Sequence, residues 1–463
     1  MGNDFMAIPA EYKERFVYQF THIENLPSIL KHGLLSCNEK DRLGIQHVSI
    51  AEESIQQRRA RMRVTCRPGG VVHDYVPFYF CSRSSMLLRV VNAKNVDQLY
   101  LIYTAIPIDV LEQADVVFTD ASANTAEPPA FYSDPSDLSK LDWECIDSKK
   151  WSLSSDVKNQ ARMAECLIHK RLGVDEIDHI VVWNKPVKRA VESIYSEAGL
   201  SPPEIVFDGQ KGKHHYYTNF YEGGTVSIVT GPTCLYGEYK NTLEEIRDSR
   251  AKSAPKSPEF VNTEDAVEKI GASFCCLPEL AAIDTLETNN KEHHEAVGAH
   301  TRRVVEKLQG VESYKGMPRR EKTILLLAAY LHDIGKGASP RDNNDKQKVD
   351  PDHPARTLKM LRRILSEEFR HLLAKDIRQI IMLVCYHDLI GDVLSKGRNK
   401  KQIVGAVKTL TDFDMLAALT IADVSSLIPD RSIRLLSAPT KWLRQIKSGL
   451  AGLRKWVSEQ LKE

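Results

Sequence analysis

The stretch Tyr330-Leu331-His332-Asp333-Ile334-Gly335-Lys336 decides the interpretation of the second half of the chain. The apolar residues that lead into it have helical spacing, and Gly335 ends that pattern. Neighbouring imidazole and carboxylate groups at a helix end can reach one ion, and together they suit borderline or hard divalent metals. One such pair cannot hold a metal, so the sequence predicts that other helices supply further ligands.

Further ligands of the right type lie on both sides of this pair. The candidate metal-binding residues are His300, His332, Asp333, His353, His387 and Asp423. Strand patterns disappear from about Ala266 onward, and apolar residues recur at helical spacing. The predicted helical segments are Pro278–Leu286, Ala299–Leu308, Lys322–Leu331, Ala355–Leu365, Ile377–Cys385 and Met415–Ile421. The second half is therefore expected to be all-α.

This ordered set resembles the HD superfamily of metal-dependent phosphohydrolases. The approach to it, through Cys276-Leu277-Pro278 and His293-His294-Glu295, resembles the HD domain of bacterial CCA-adding enzymes. The resemblance implies one divalent ion on the first His, the His-Asp pair and the distant Asp. It also implies that the two intervening histidines hold a second ion or bind substrate, and that Lys336 contacts the phosphoryl group.

The first half of the chain shows mixed helical and strand patterns. Short apolar runs at Val76–Phe80, Leu99–Ile106 and Ile180–Trp183 predict strands, and alternation at Thr225–Thr230 predicts a hairpin. From the residues alone two interpretations stay open. Aromatic and arginine side chains around one acid could stack a base and bind phosphates, or they could be core aromatics beside a solvated charged face.

Several short motifs between Tyr18 and Tyr217 resemble, in the same order, the DarT family of DNA ADP-ribosyltransferase toxins. The resemblance implies NAD as ADP-ribose donor and a thymidine base in single-stranded DNA as acceptor. It implies that Glu165, in the predicted helical segment Asn159–Ile168, is the catalytic acid and that Arg59 is the essential arginine. The residues that it assigns to the cofactor site are Gln19, His22, Tyr79, Phe80, Arg83, Ser84 and Met86.

One position departs from the family pattern. Gln19 stands where the family usually has the first His of its Tyr-His-x-Thr-His motif. Glutamine still donates and accepts hydrogen bonds but carries no charge, so NAD affinity and acceptor choice are both open. Nearby, Ile55–Arg59 is predicted to be a basic helical segment, and Arg58, Arg61 and Arg63 belong to a basic run that begins in it. They are candidates for nucleic-acid backbone contacts, and the alternative is a solvated helical face.

Length and local composition predict a multidomain protein. The chain has 463 residues, more than one hydrophobic core usually supports. We expect an α+β ADP-ribosyltransferase fold at residues 1–237, a linker at residues 238–267 and an all-α HD-domain fold at residues 268–463. The linker is inferred from a charged stretch that Ser and Pro interrupt, and we expect some helix within it.

Bulk composition excludes several classes of protein. Hydrophobic residues make up 42% and charged residues 27%, which argues against wholesale disorder. No apolar run approaches the roughly 20 residues that span a bilayer. No signal-peptide pattern is visible, and the nine cysteines lack the spacing of a disulfide framework, so we expect a cytoplasmic protein without membrane partners. The net charge of +1 means that nucleic-acid binding must come from local patches.

These features together predict a bifunctional enzyme in a toxin or anti-phage setting. NAD and divalent metal ions are the expected cofactors, single-stranded DNA is the expected partner, and a separate antitoxin chain is a further candidate partner. Two alternatives stay open. One is a nucleotide phosphohydrolase whose first half binds nucleic acid without catalysis, and Gln19 is its best support. The other is an ADP-ribosyltransferase that modifies RNA, since RNA loops and ends also display unstacked bases.

Overall fold

The protein divides into two compact units. The computed structural model describes residues 7–50, 53–125, 127–150, 153–219, 227–290, 292, 295–428 and 437–462. The first unit contains the residues up to Asn92 and Val96–Thr218, and the second contains Ala93–Asn95 and the residues from Asn219 onward. The first unit mixes helices and strands and the second is mostly helical, which confirms the predicted fold class of an α+β fold followed by an all-α fold.

The first unit is built on one mixed sheet. The strands of this unit are β1 (Phe16–His22), β2 (Leu34–Leu35), β3 (Tyr75–Tyr79), β4 (Leu101–Pro107), β5 (Val116–Thr119), β6 (Phe131–Tyr132), β7 (Glu165–His169), β8 (Arg171–Leu172), β9 (His179–Val182) and β10 (Glu204–Phe207). Two short strands follow, β11 (Thr218–Asn219) and β12 (Ser227–Ile228). Eight of these described strands form the sheet in the order β10-β9-β4-β1-β3-β7-β5-β6, antiparallel except between β9 and β10.

The helices of the first unit are short. They are α1 (Leu26–His32), α2 (Cys37–Arg42), α3 (Glu53–Arg59), α4 (Ser85–Asn92), α5 (Trp143–Ile146), α6 (Asp156–Arg162) and α7 (Lys185–Glu197). The three predicted strands fall on β3, β4 and β9. Residues 225 and 226 of the predicted hairpin lie outside the described residues, as do His293 and His294.

The strand pair β3 and β7 places the end of one strand opposite the start of the other. Tyr79, the last residue of β3, lies directly opposite Glu165, the first residue of β7. The prediction of a helix through residues 159–168 is therefore wrong, because α6 ends at Arg162 and Glu165 begins a strand. The run Cys166–Ile168 is buried between two neighbouring strands, and such an apolar run looks the same in a buried helix and in an interior strand.

The second unit is a packed set of helices. They are α8 (Pro232–Lys252), α9 (Thr263–Ala272), α10 (Pro278–Asp284), α11 (Val297–Gly310), α12 (Glu312–Lys315), α13 (Arg319–Leu331), α14 (His353–Glu367), α15 (Ala374–Cys385), α16 (Leu389–Ser395), α17 (Lys401–Ala406), α18 (Leu410–Ser426) and α19 (Ala438–Gln460). The six predicted helical segments fall on α10, α11, α13, α14, α15 and α18. No helix within the described ranges combines the length and apolar character that crossing a membrane requires.

Helix α8 occupies much of the segment that the sequence suggests as a linker. Tyr239, Leu243 and Ile246 lie on one face of α8 and are buried in the helical core of the second unit. The structure thus places residues 238–252 in a packed helix. The stretch looks like a linker in sequence because its other faces are charged, and because the Ser and Pro residues that follow Lys252 end the helix.

Replacing Ile246 by Ala is expected to destabilise the helical unit by about 2–5 kcal/mol, because the lost methyl groups leave a cavity in a closed core. The control is Val261→Ala in the same unit, where the side chain is 48% exposed and the expected change is within about 0.5 kcal/mol. Hydrogen exchange followed by mass spectrometry measures each unit separately. Equal effects of the two substitutions would mean that α8 does not belong to the folded core.

Candidate functional site

A buried ion pair lies at the start of β7. Arg59, the last residue of α3, donates from Nη1 to Glu165 Oε1 and from Nη2 to Glu165 Oε2, both at 2.9 Å. The Glu165 side chain is fully buried and Arg59 is 7% exposed. Two parallel hydrogen bonds between a guanidinium and a carboxylate fix the plane of both groups, so the carboxylate has one orientation.

The loop that follows β5 is tied to the same pair. The backbone N–H of Ala123 donates to Glu165 Oε1 at 2.8 Å, and the Ala123 carbonyl accepts from Arg59 Nη1 at 3.4 Å. The backbone N–H of Glu165 donates in turn to Thr119 Oγ1 at 3.1 Å. A helix end, a strand start and a loop therefore meet at one carboxylate.

The charge states around Glu165 follow from these contacts. Burial alone would lower the pKa of Arg59, but the charge and hydrogen bonds of Glu165 outweigh it and the pKa rises, so Arg59 stays a cation. Burial, and next the Glu165 charge, raise the pKa of Tyr79, so its phenol stays neutral. The Tyr79 hydroxyl donates to Met86 Sδ at 3.4 Å.

A cleft of about 570 Å³ opens beside this pair. The residues lining it include Gln19, Arg59, His73, Tyr79, Met86 and Asn124. Gln19 donates from Nε2 to the Pro77 carbonyl at 3.1 Å, which leaves its amide oxygen as an acceptor. The volume lies within the range of roughly 300–1,000 Å³ that small-molecule and cofactor sites occupy. The structure thus brings three predicted cofactor residues, Gln19, Tyr79 and Met86, to the cleft.

The other residues of the predicted cofactor set are not among the described residues that line the cleft. His22 accepts a hydrogen bond at Nδ1 from the backbone N–H of Glu24 at 3.3 Å and begins a short 3-10 turn. Phe80 is buried, with its ring 6.2 Å from that of Phe118 and 5.6 Å from that of Trp143. These two side chains are therefore not among the described residues that line the cleft.

Arg83 and Ser84 are also buried outside the cleft lining. Arg83 donates from Nη2 to the Lys149 carbonyl, and its guanidinium lies 5.1 Å from the centre of the Tyr217 ring. Ser84 accepts from the backbone N–H of Leu87 at 3.2 Å and so begins α4. Both hold the turn that carries Met86 to the cleft.

The predicted basic run extends beyond the helix in which it begins. Helix α3 ends at Arg59, so Arg61 and Arg63 lie beyond it, and both are exposed. Arg63 forms a single β-bridge with Val71. Arg58 is exposed and donates from Nε and Nη2 to Asn124 Oδ1, at 3.1 and 2.9 Å. The predicted helical segment Ile55–Arg59 falls on α3, and the alternative of a solvated charged face stays open for the exposed arginines.

Several residues that line the cleft were not predicted from the sequence, among them His73 and Asn124. His73 lines the cleft next to Arg59, and burial, with the nearby Arg59 charge, lowers the pKa of its imidazole. Asn124 reaches the cleft from the loop after β5. His73 stands only six residues before Tyr79, but nothing in its spacing distinguishes it from a surface histidine. Asn124 follows no motif at all.

The second unit holds a cluster of imidazoles and carboxylates. The elements that carry it are α11 with His300, the end of α13 with His332 and Asp333, the start of α14 with His353, the end of α15 with His387, and α18 with Asp423. Each of the six predicted ligands belongs to a group whose candidate ligand atoms all lie within 4.8 Å of one another. One further residue joins them that was not predicted, Asp388.

Asp333 lies between two parts of this cluster. Its Oδ2 is 3.6 Å from His300 Nε2 and 3.3 Å from His332 Nε2. Its Oδ1 is 3.5 Å from His353 Nε2, which is 3.2 Å from His387 Nε2. Ligand atoms about 3 Å apart are what metal–ligand bonds of about 2.1 Å produce. One carboxylate therefore faces two candidate metal positions.

Each imidazole of the cluster is oriented by its other ring nitrogen. The Nδ1 contacts are His332 with the Ala329 carbonyl at 2.8 Å, His353 with the Asp350 carbonyl at 2.9 Å, His387 with the Val384 carbonyl at 2.8 Å and His300 with Ser426 Oγ at 3.0 Å. Hydrogen bonds of this kind are typical of metal-binding histidines, because they fix the orientation of the ring and the tautomer in which Nε2 carries the lone pair that a metal needs.

The donor set fits a divalent ion. His332 Nε2 is buried, and within the described part of the chain it has no hydrogen-bond partner. A buried orphan nitrogen is costly unless a ligand satisfies it. Burial alone would raise the pKa of Asp333, but His332 and Lys336 outweigh it and hold that pKa well below its ordinary value. Lys336 Nζ lies 2.6 Å from Asp333 Oδ2. Mixed imidazole and carboxylate ligands suit borderline and hard divalent metals.

Gly335 explains how His353 reaches the cluster. A Cβ atom at position 335 would collide with the His353 carbonyl and with Thr357 Oγ1 in the first turn of α14. The backbone N–H of Gly335 instead donates to Thr357 Oγ1 at 3.1 Å. The glycine of the His-Asp-x-Gly-Lys segment thus lets α14 approach the end of α13.

Comparison with known proteins places both units in families. The family described as "ssDNA thymidine ADP-ribosyltransferase, DarT" matches residues 18–217, and the HD domain matches residues 291–419. A DNA ADP-ribosyl transferase of Thermus sp. (strain 2.9) is 34% identical over 190 residues, which cover 39% of this chain and 87% of that relative. The chain belongs to the DarT family. Both resemblances inferred from the sequence are confirmed.

Solved structures of a DarT-family member are similar to the first half of this chain. Thermus sp. 2.9 DarT in complex with ADP-ribosylated ssDNA is 30% identical, with a TM-score of 0.40, over 45% of this chain and 99% of that one. Thermus sp. 2.9 DarT in complex with NAD+ is 28% identical, with a TM-score of 0.38, over 45% of this chain and 100% of that one. This relative therefore binds both ADP-ribosylated single-stranded DNA and NAD+.

Removing Arg59 should destabilise the DarT-family unit strongly. Arg59→Ala leaves the fully buried Glu165 carboxylate without its counterion, which is expected to cost about 3–5 kcal/mol. Arg61→Ala is the matched control, because Arg61 is exposed and its loss should cost no more than about 0.5 kcal/mol. Thermal unfolding of the two variants and the parent measures the difference. Similar unfolding temperatures for all three would contradict the paired, buried state of Glu165.

Proposed function

We propose that the first unit transfers ADP-ribose from NAD to a thymidine base in single-stranded DNA, and that the second unit is a metal-dependent phosphohydrolase. The observation that carries the first part is the oriented Glu165 carboxylate beside a cleft of about 570 Å³, in a chain of the DarT family. The second part is carried by the cluster around Asp333, in a segment that matches the HD domain.

The transfer reaction is a substitution at the ribose carbon that carries nicotinamide. The N-glycosidic bond breaks and its electron pair leaves with nicotinamide, so positive charge develops on the ribose. The Glu165 carboxylate stabilises that charge. A ring nitrogen of the base forms the new bond, and the proton on that nitrogen passes to Glu165 or to solvent.

The contacts support different roles for the residues of the first unit. Both terminal nitrogens of Arg59 bind Glu165, so Arg59 is proposed to position the catalytic carboxylate. Gln19, Tyr79 and Met86 are proposed NAD contacts because they line the cleft. The remaining members of the cofactor set are proposed to support its wall from behind: His22, Phe80, Arg83 and Ser84.

Strand binding is proposed to come from the exposed arginines beyond α3. Arg61 and Arg63 are free to contact phosphates, which position a strand without reading its sequence. Arg58 shares its guanidinium with Asn124, so its contribution to phosphate binding is expected to be smaller. Moving a base out of a single strand costs little free energy, because the base has no pairing partner to lose. Single-stranded DNA therefore suits a reaction in this cleft.

The second unit is proposed to hydrolyse a phosphoester. His300, His332, Asp333 and Asp423 would hold one divalent ion, and His353 and His387, with Asp333, a second. When bound, such ions supply Lewis-acid activation of the phosphoryl group and of water. Lys336, 2.6 Å from Asp333, is proposed to turn its ammonium to a phosphoryl oxygen of the substrate.

The setting is proposed to be the cytoplasm, with a separate antitoxin chain as a partner. All nine cysteines are free thiols, which is the usual state in a reducing compartment. NAD and nucleic acid are both present in that compartment. A protein that modifies DNA bases there needs an opposing activity, which a second chain can supply.

Glu165→Gln should reduce the rate of ADP-ribose transfer by roughly a hundredfold or more. The amide keeps the shape of the carboxylate but lacks the charge that stabilises the ribose cation. Glu176→Gln, at an exposed acid of the same unit, is the control and should keep the parental rate. Mass spectrometry of defined DNA and RNA oligonucleotides after incubation with NAD measures the transfer. A parental transfer rate in the Glu165→Gln variant would exclude Glu165 as the catalytic acid. Modification of the RNA oligonucleotides and not of the DNA oligonucleotides would favour the alternative of an RNA ADP-ribosyltransferase.

Replacing His332 and Asp333 together by Ala should remove both bound metal and phosphodiester hydrolysis. The change deletes two ligands of the first ion position, and one of them, Asp333, is also a ligand of the second position. His371→Ala is the control, because His371 is an exposed histidine of the same unit. Metal content by mass spectrometry and hydrolysis of a nitrophenyl phosphodiester are the two measurements. Metal retained by the double variant would show that the ions bind elsewhere.

A further inference from the structure

The loop after β5 contacts the Glu165 carboxylate through its backbone and carries one amide side chain to the cleft. The backbone N–H of Ala123 donates to Glu165 Oε1 at 2.8 Å, and Asn124 is the next residue. Asn124 is half-buried and lines the cleft. Under the proposed transfer Glu165 acts on the ribose carbon, so a cleft residue that follows Ala123 directly is expected near the acceptor base that attacks that carbon.

Arg58 determines which way this amide points. Its Nε and Nη2 donate to the same atom, Asn124 Oδ1, at 3.1 and 2.9 Å. A guanidinium has donors and no acceptor, so the atom that faces it must be the amide oxygen. The opposite amide orientation would set two donors against each other.

The amide nitrogen of Asn124 is consequently available to a ligand. Within the described ranges of the chain no acceptor takes its Nδ2 hydrogens, while its oxygen is occupied by Arg58. The side chain therefore offers the cleft two hydrogen-bond donors and no free acceptor of comparable strength. A donor of this kind matches a carbonyl oxygen of a ligand and disfavours an amino group at the same place.

We propose that Asn124, held by Arg58, contacts the acceptor base and selects a base that presents a carbonyl oxygen beside its reacting ring nitrogen. The proposal rests on the proposed transfer to a base, and it assigns a specificity-determining residue for that reaction. Thymine carries a carbonyl at position 4, where cytosine carries an amino group, and adenine carries an amino group at position 6. Asn124 thus favours thymine over cytosine and adenine, while guanine, which carries a carbonyl at position 6, is not excluded by this contact. Arg58 acts as a positioning residue.

Thio-substituted thymidines test this contact directly. Sulfur accepts hydrogen bonds more weakly than oxygen, and 2-thiothymidine and 4-thiothymidine each change one carbonyl while keeping the ring N–H. The full-length protein is incubated with NAD and an oligonucleotide that contains thymidine, or one of the two analogues, at a single site. The parent enzyme should modify one analogue about three- to tenfold more slowly than thymidine. A rate change of this size is what the loss of one hydrogen bond produces.

Three variants separate the roles of the two residues. Asn124→Ala should remove the discrimination between thymidine and the disfavoured analogue. Asn124→Asp keeps the shape and the contact with Arg58 but replaces the donors by acceptors, so thymidine transfer should fall about tenfold or more. Arg58→Ala releases the amide, which can then rotate, and discrimination should decrease without disappearing. The ratio of two substrates is independent of how much of each variant is folded.

A second measurement separates the base from the cofactor. Nicotinamide release without oligonucleotide reports on NAD alone, and Asn124→Ala should leave its KM for NAD unchanged. A raised KM for NAD with unchanged discrimination would place Asn124 in the cofactor site and overturn the proposal. Thymidine transfer with full discrimination in Asn124→Ala would also overturn it. A parent enzyme that modifies no oligonucleotide would instead overturn the proposed function itself.

Discussion

The buried pair of Arg59 and Glu165 is the constraint around which the first unit is organised. Taking each of these charges out of water costs several kcal/mol, and only a well-formed pair with additional hydrogen bonds offsets that cost. The two parallel bonds, together with the Ala123 N–H, meet this requirement. Because the pair is satisfied only in one geometry, it joins the end of α3, the start of β7 and the loop after β5. The end of α3 and this loop contribute Arg59 and Asn124 to the lining of the cleft.

Buried charged and polar groups also organise the second unit, where they form a candidate metal site. Buried imidazoles and carboxylates from α11, α13, α14, α15 and α18 converge on Asp333, and each imidazole is oriented by a hydrogen bond at Nδ1. Such a concentration of buried polar groups is stabilised when a divalent ion neutralises it. The packed apolar faces of the same helices hold the ligands in place, so the metal position is a property of the helical core.

More residues of the candidate metal site than of the cleft could be predicted from the sequence. Ligand type and order along the chain are visible in the residues from His300 to Asp423, because metal ligands belong to few residue types. The cleft depends on side-chain direction. Tyr79 and Phe80 are neighbours at the end of β3, yet Tyr79 lines the cleft and Phe80 packs in the core, since successive side chains on a strand point to opposite faces.

The sequence by itself determined the two-part organisation, the helical character of the second half and the metal-binding residue types, because periodicity and rare residue types are local properties. Only the tertiary structure decided that Glu165 starts a strand, that residues 238–252 pack as a helix and that Arg58 orients Asn124. Each of these depends on partners far away in the chain: β3 for Glu165, the helical core for α8, and the loop after β5 for Arg58. A hydrogen bond between residues 66 positions apart leaves no mark on the sequence near either of them.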